Sequence, residues 1–343
     1  MRSRKRILRA LRFRALSFLF QPLARGPVAV SRWFARRFGD LAWCMLRRHR
    51  ARAEAHLAAA FPERDLAWRR GVTRQVFRWI AGAGVSFLRL DRIDLAATVR
   101  GLEVEGEEHW RAAVASGRGI VLVTGHFGNW ELLGGVLAYW LATSPRPECR
   151  MHVLYRTVEP PGLDRAIGEL RRAVGVVPLP VEQGLGPAVR ALRRGNVVGL
   201  LIDRVPRGTA VSGRFFGVRC RQAAGAARLA LAGDAWLLPA ALWTDADGRY
   251  RVRFLRPELA ERDGERHDAV VRATRRMNEA LERMIRSAPE QWPWFENRWK
   301  DRPGETWGDA SPGEAGDGAD SRPGPDRVHA GDSAARPPAD RHR

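Results

Sequence analysis

Cysteine is scarce in this chain, with Cys44, Cys149 and Cys220 the only three among 343 residues. An odd count without CxxC spacing excludes a disulfide framework and a thiolate zinc site, and reads as reduced thiols in a cytosol-facing protein. Lysine is scarcer still. It occurs only at Lys5 and Lys300, so arginine supplies nearly all of the 59 basic residues. Neither lysine follows a glycine, which excludes a P-loop. H-E-x-x-H is absent, no other histidine and cysteine spacing suggests a metal, and no serine lies in a G-x-S-x-G frame, so the α/β-hydrolase elbow is missing. Long apolar runs are lacking too. The longest uncharged stretch, residues 132–145, has 14 residues, where a spanning helix needs about 20. Pro22 and Arg25 interrupt the early apolar stretch and no cleavage site follows, so no secretory peptide is expected.

Acidic residues are missing from the start of the chain: residues 1–52 hold fifteen Lys/Arg against Asp40 alone, within a net charge of +21. Leu11, Phe13, Leu16, Phe18, Phe20, Trp33, Phe34, Phe38, Trp43 and Leu46 are interleaved with the arginines. Such a segment can lie in a bilayer interface with its rings inserted and its arginines on anionic headgroups. That is the favoured reading, ahead of a solvated amphipathic helix packed on the domain and of an arm for nucleic acid.

What the chain does contain is globular: 45% hydrophobic and 28% charged residues, enough for one domain with attachments. Residues 53–95 read as helices broken at Phe61-Pro62-Glu63, and 101–116 as a helical lead-in. Short β-branched runs then alternate with helical stretches, the pattern of an α/β sheet. Strands are expected at 120–123, 151–155, 176–178, 197–202, 236–243 and 250–254. Helices are expected at 132–141, 163–174, 185–194, 222–233 and 268–287, with an irregular loop from 203 to 217. From about residue 303 to 343, Gly, Pro, Ala, Asp and Ser dominate and a disordered tail is expected.

One stretch stands out. Residues 119–142 read GIVLVTGHFGNWELLGGVLAYWLA, a buried strand, a glycine-bounded turn and a buried helix. His126 sits where strand passes to helix, and Glu131 follows in or near the first helical turn. An imidazole titrating near neutrality can take the proton of an alcohol as its oxygen attacks an acyl carbon, and a carboxylate on the other ring nitrogen fixes the tautomer. The pair holds no nucleophile of its own, which suits direct transfer to a bound alcohol. The spacing alone says little. His49 and Glu54 repeat it in a helical stretch, where five residues turn the second side chain roughly 140° from the first. By itself His126 is either such a base or a hydrogen-bonded turn histidine.

GHFGNWELLG resembles the first motif of the bacterial lipid A late acyltransferases, the lauroyl and myristoyl transferases. It is more distantly similar to glycerolipid acyltransferases with a His-x4-Asp motif. Tyr155-Arg156, Gly195-Asn196-Val197-Val198 running to Asp203-Arg204, Phe215-Phe216-Gly217, and residues 288–294 (APEQWPW) followed by Arg298 fall in that family's order, over roughly residues 30–302. The resemblance implies a single α/β acyltransferase domain (53–302) with a central, mostly parallel sheet flanked by helices, behind a basic helical segment (1–52). It implies transfer of a fatty acyl chain from a thioester, acyl carrier protein or coenzyme A, to a hydroxyl of a lipid A precursor or related glycolipid, at the cytoplasmic face of the inner membrane. No cofactor, metal or nucleic acid is implied.

His126 is then the expected general base and Glu131 its orienter. Arg156, Asp203 and Arg298 are expected to bind substrate, Asp203 because the matching family residue lines the site. On their own, Arg156 could be a surface arginine and Asp203 a loop-shaping ion pair. Glu296-Asn297 replaces a histidine and a basic residue that the family often carries before Arg298, which bears on the acceptor. Trp292, Trp294, Phe295 and Trp299 form an aromatic cluster suited either to a membrane interface or to a core. The competing reading is a non-catalytic basic protein of membrane surfaces or nucleic acid.

Overall fold

The computed structural model describes residues 25–206, 208–260 and 265–299. The first part of the expected interface segment, residues 1–24, and the expected tail at 303–343 lie outside the described residues.

Three helices come first: α1 (Val28–Met45), α2 (Arg47–Ala60) and α3 (Leu66–Leu88). The break between α2 and α3 falls at Phe61-Pro62-Glu63 as expected, and Asp65 caps α3 by accepting from the Trp68 amide at 2.7 Å. Helix α1 turns Ser31, Ala35 and Gly39 inward against α3. A Cβ at Gly39 would lie 2.5 Å from the Arg78 Cα, so only glycine permits this approach. Beside it Asp40 accepts from the Nε of both Arg74 and Arg78 at 2.8 Å. The Arg78 and Arg74 hydrogen bonds hold its carboxyl down to about 2. The other side of α1 is apolar and exposed: Phe34, Phe38, Leu41 and Met45 follow one another at helical spacing, with Trp33 beside them. Among the described residues no helix is long and apolar enough to cross a membrane.

After α4 (Leu95–Arg100), strand β1 (Glu103–Glu105) and α5 (Glu107–Ala115), the chain alternates β2 (Ile120–Thr124), α6 (Trp130–Ala142), β3 (Met151–Tyr155), α7 (Pro161–Ala173), β4 (Val176–Pro180), α8 (Gly186–Arg193) and β5 (Val197–Leu201). A hairpin of β6 (Ala210–Phe215) and β7 (Val218–Ala223) precedes α9 (Gly225–Gly233), β8 (Trp236–Thr244), β9 (Tyr250–Phe254), β10 (Glu258–Leu259) and α10 (Arg266–Ser287). The main sheet runs β1-β9-β8-β2-β5-β3-β4, with β10 on β8. All its neighbours are parallel except β8 with β9 and with β10. The fold is thus the expected α/β class with a mostly parallel sheet flanked by helices.

Strand alternation divides the core. Ile120 and Leu122 enter the layer under α6, while Val121 and Val123 enter the opposite one. Helix α6 buries Leu132, Leu133, Val136, Leu137 and Leu141 almost completely, each contributing about 1.5–3 kcal/mol. That burial explains its lack of a polar face.

Two expectations are corrected. The stretch 101–116 is helical only from Glu107, because Glu103–Glu105 pairs with β9 as a strand. Its acids face Arg251 and Arg253 across the ladder, with Glu103 and Glu105 each 2.6 Å from one of these arginines. The expected irregular loop holds the β6–β7 hairpin, and Gln222 lies in a strand where a helix was expected to begin. Phe216 and Gly217 form its two-residue turn, both with positive φ (50° and 75°). Phenylalanine is rarely found there. Its ring is held against Phe61, Phe215 and Trp294 and under the Arg286 guanidinium.

Candidate active site

Strands β2 and β5 are parallel neighbours, with Thr124 opposite Leu201. The segments leaving their carboxyl ends therefore emerge side by side, where open α/β sheets place their ligands. His126 leaves β2 there and Asp203 leaves β5.

The turn after β2 is fixed from several directions. The Gly128 amide donates to Gln291 O (2.9 Å), the Trp79 indole to Gly128 O (3.1 Å), and the Asn129 amide to Leu242 O (2.7 Å). Gly128 has φ +61°, and a Cβ there would collide with the Leu242 carbonyl. Asn129 caps α6 by accepting from the Leu132 amide at 3.2 Å while donating to Ser86 at 2.9 Å. All of this positions one side chain.

His126 Nδ1 is 2.8 Å from Asp203 Oδ1, and the His126 amide donates to Asp203 Oδ2 at 2.8 Å. The Trp292 indole gives Oδ2 a second donor at 2.9 Å. Burial by itself would raise the pKa of Asp203. The charge and hydrogen bonds of His126, with the Trp292 N–H, outweigh it and bring the carboxyl to about 2. An ionised carboxylate only accepts, so Nδ1 carries a proton, and in the neutral ring Nε2 is the nitrogen that can accept one. Asp203 is 4% exposed, whereas 22% of the His126 side chain reaches solvent. The imidazole is anchored below and open above. Trp130 stands edge-on to its ring at 5.2 Å.

Asp203, expected on the substrate, thus holds the imidazole instead. Glu131, expected to hold the imidazole, binds Arg171 of α7, with Arg171 Nε to Glu131 Oε2 at 2.9 Å and Nη2 to Oε1 at 2.6 Å. Burial works against the Arg171 charge, but Glu131 more than compensates and its pKa is raised. The first turn of α6 carries Glu131 away to the neighbouring helix. The pair borders an apolar crevice lined by Leu122, Leu133, Met151, Val153, Val176 and Leu201.

Arg298 is also corrected. It is 2% exposed, donates to Arg221 O (2.7 Å) and Asn278 Oδ1 (3.2 Å), and lies over Phe215, so no headgroup reaches it. Arg156 lies just past β3, exposed, with Nη1 4.0 Å from Glu182. His49 belongs to α2, with its ring near Phe295. Trp292 and Trp294 are core residues, 1% and 0% exposed. No reading of the residues had linked Trp292 to the site.

A profile of the bacterial lipid A biosynthesis acyltransferase family matches residues 6–301. The chain belongs to this family. Among its relatives, the phosphatidylinositol mannoside acyltransferase of Mycolicibacterium smegmatis is 28% identical over 215 residues, covering 62% of this chain and 66% of that protein, just under two thirds of its length. The lipid A biosynthesis lauroyltransferase of Escherichia coli is 29% identical over 274 residues, covering 77% and 83%. The palmitoleoyltransferase of the same organism is 24% identical over 284 residues, covering 81% and 87%.

Because Glu131 pairs with Arg171, its removal should act mainly on the fold. Glu131→Gln leaves the largely buried Arg171 guanidinium without its carboxylate, at a cost of about 2–4 kcal/mol in denaturant unfolding. Turnover of the folded fraction should fall less than about tenfold. A stable variant with turnover reduced as far as that of an Asp203 variant would return Glu131 to the base.

Proposed function

We propose that this family member is a membrane-associated O-acyltransferase moving a fatty acyl chain from a thioester to a hydroxyl of a lipid A precursor or related glycolipid. One observation carries this reading: a buried carboxylate holds Nδ1 of a partly exposed imidazole at the carboxyl end of a parallel strand. His126 Nε2 takes the proton of the acceptor hydroxyl as its oxygen attacks the thioester carbonyl. Asp203 stabilises the imidazolium that forms, and the proton passes to the departing thiolate. The apolar crevice beside Trp130 is the candidate for the hydrocarbon tail, and Arg156 is the candidate for an anionic group of either substrate.

The exposed apolar side of α1, with arginines around it, supports adsorption on an anionic leaflet at the cytoplasmic face. The relatives' names support a glycolipid acceptor. The donor proposed is acyl carrier protein. That carrier is acidic and this chain has a net charge of +21, so raising salt from 50 to 500 mM should increase KM for acyl carrier protein more than KM for acyl-coenzyme A. The test is mass spectrometry of lipids from cells with and without the gene, together with transfer by the purified full-length protein. A glycolipid lacking one acyl chain in the deletion strain supports the proposal. Unchanged lipids and no transfer from either thioester would overturn it.

A further inference from the structure

We infer that Trp292 is a positioning residue of this site: its indole N–H locks the rotation of the Asp203 carboxylate and, through it, the plane and tautomer of the His126 ring. The inference rests on His126 being the base. Asp203 Oδ1 faces the ring nitrogen, while Oδ2 receives two donors, the His126 amide and the Trp292 indole. The amide belongs to the residue being positioned and moves with its turn. Trp292 is the donor that comes from elsewhere, 89 residues further along the chain. It is also the donor aimed at Asp203 from a fully buried side chain.

Its own position is strongly determined. Trp294 meets it edge-on at 4.6 Å and Phe215 packs at 5.7 Å. The segment that carries it is tied to the N-terminal helices, where His56 Nδ1 lies 2.7 Å from Trp294 O and Arg52 Nη1 donates to Phe295 O at 3.3 Å. The same segment accepts from the Gly128 amide through Gln291 O. One short stretch therefore reaches both sides of the histidine, its backbone turn and its carboxylate. A buried indole N–H takes an acceptor wherever it packs; that of Trp294 takes a backbone carbonyl, whereas that of Trp292 takes the buried carboxylate bonded to the imidazole.

Trp292→Phe removes the donor and keeps an aromatic ring, and Trp294→Phe is its control. Trp294 is equally buried and donates to Pro289 O at 2.7 Å, without touching Asp203. With the acyl-transfer assay, kcat of Trp292→Phe should fall about 10–30-fold at unchanged KM, and kcat of Trp294→Phe less than about threefold. The downfield proton resonance of the His126–Asp203 hydrogen bond should move in the first variant and stay in the second. 3-Benzothienylalanine at position 292 replaces the N–H by sulfur in a ring of nearly the same shape, and should reproduce the kcat loss even where Trp292→Phe folds poorly. Equal kcat in both phenylalanine variants with an unmoved resonance, or wild-type kcat with benzothienylalanine, would overturn the inference. Failure of the proposed base is read separately, from activity that survives replacement of His126.

Discussion

His126→Ala should still fold, at reduced stability because the buried Asp203 carboxylate loses its imidazole, and should lose acyl transfer by about 10²–10⁴-fold, the range contributed by a positioned general base. The fold should survive because the imidazole is partly exposed and the His126 amide still donates to Asp203 Oδ2, which also keeps the Trp292 indole. Loss should fall on kcat, since the proton moves only as the alcohol attacks, and adsorption of the protein to lipid should be unchanged. Turnover within a factor of a few of wild type, measured by single-turnover transfer from the acyl thioester, would remove His126 from the mechanism.

Asp203→Asn should be nearly as damaging, at about 10²–10⁴-fold in kcat, with only one atom changed. The amide offers one acceptor and one NH2 group to a place built for two acceptors. If its oxygen faces the His126 amide and Trp292, the NH2 faces Nδ1, which must then accept. The proton moves to Nε2, and that nitrogen can no longer act as a base. In the other orientation, the NH2 opposes two donors in a buried site. Stability should also respond, with a defined sign. The Asp203 carboxyl lies at about 2 in the fold against an ordinary 3.8, so its ionisation stabilises the native state fully above the ordinary value. That contribution is lost as pH falls through about 2. The stability gap between wild type and Asp203→Asn, measured in urea, should therefore be fully present above about pH 4 and shrink between pH 4 and pH 2. A constant gap, or wild-type kcat in the variant, would show that the carboxylate does not hold the ring.

The three site residues that the structure places differently from expectation share one origin. Glu131 was favoured because it lies close in sequence and suits a first helical turn, but that turn carries its side chain to α7, where an arginine awaits it. Asp203 is 77 residues away, and only the parallel pairing of β2 with β5 brings it to the ring. Arg298 was one arginine among many, and nothing local tells a buried cation over Phe215 from one that meets a headgroup. The missed hairpin turns on Phe216, a residue whose type argues against positive φ and which the surrounding rings hold in place. The missed strand β1 carries glutamates, which read as helical until the arginines of β9 lie opposite them.

Residue order alone was enough for the α/β class, for most of the strands and helices, for the place of His126 at a strand-to-helix turn and for the family resemblance. These depend on periodicity, on glycine and on contiguous motifs, all of which act over a few residues. Which carboxylate meets the imidazole, which indole steadies that carboxylate and which arginine is buried were decided by the tertiary structure. Hydrogen-bond partners in a sheet protein are chosen by strand order and register, and those are properties of the whole chain.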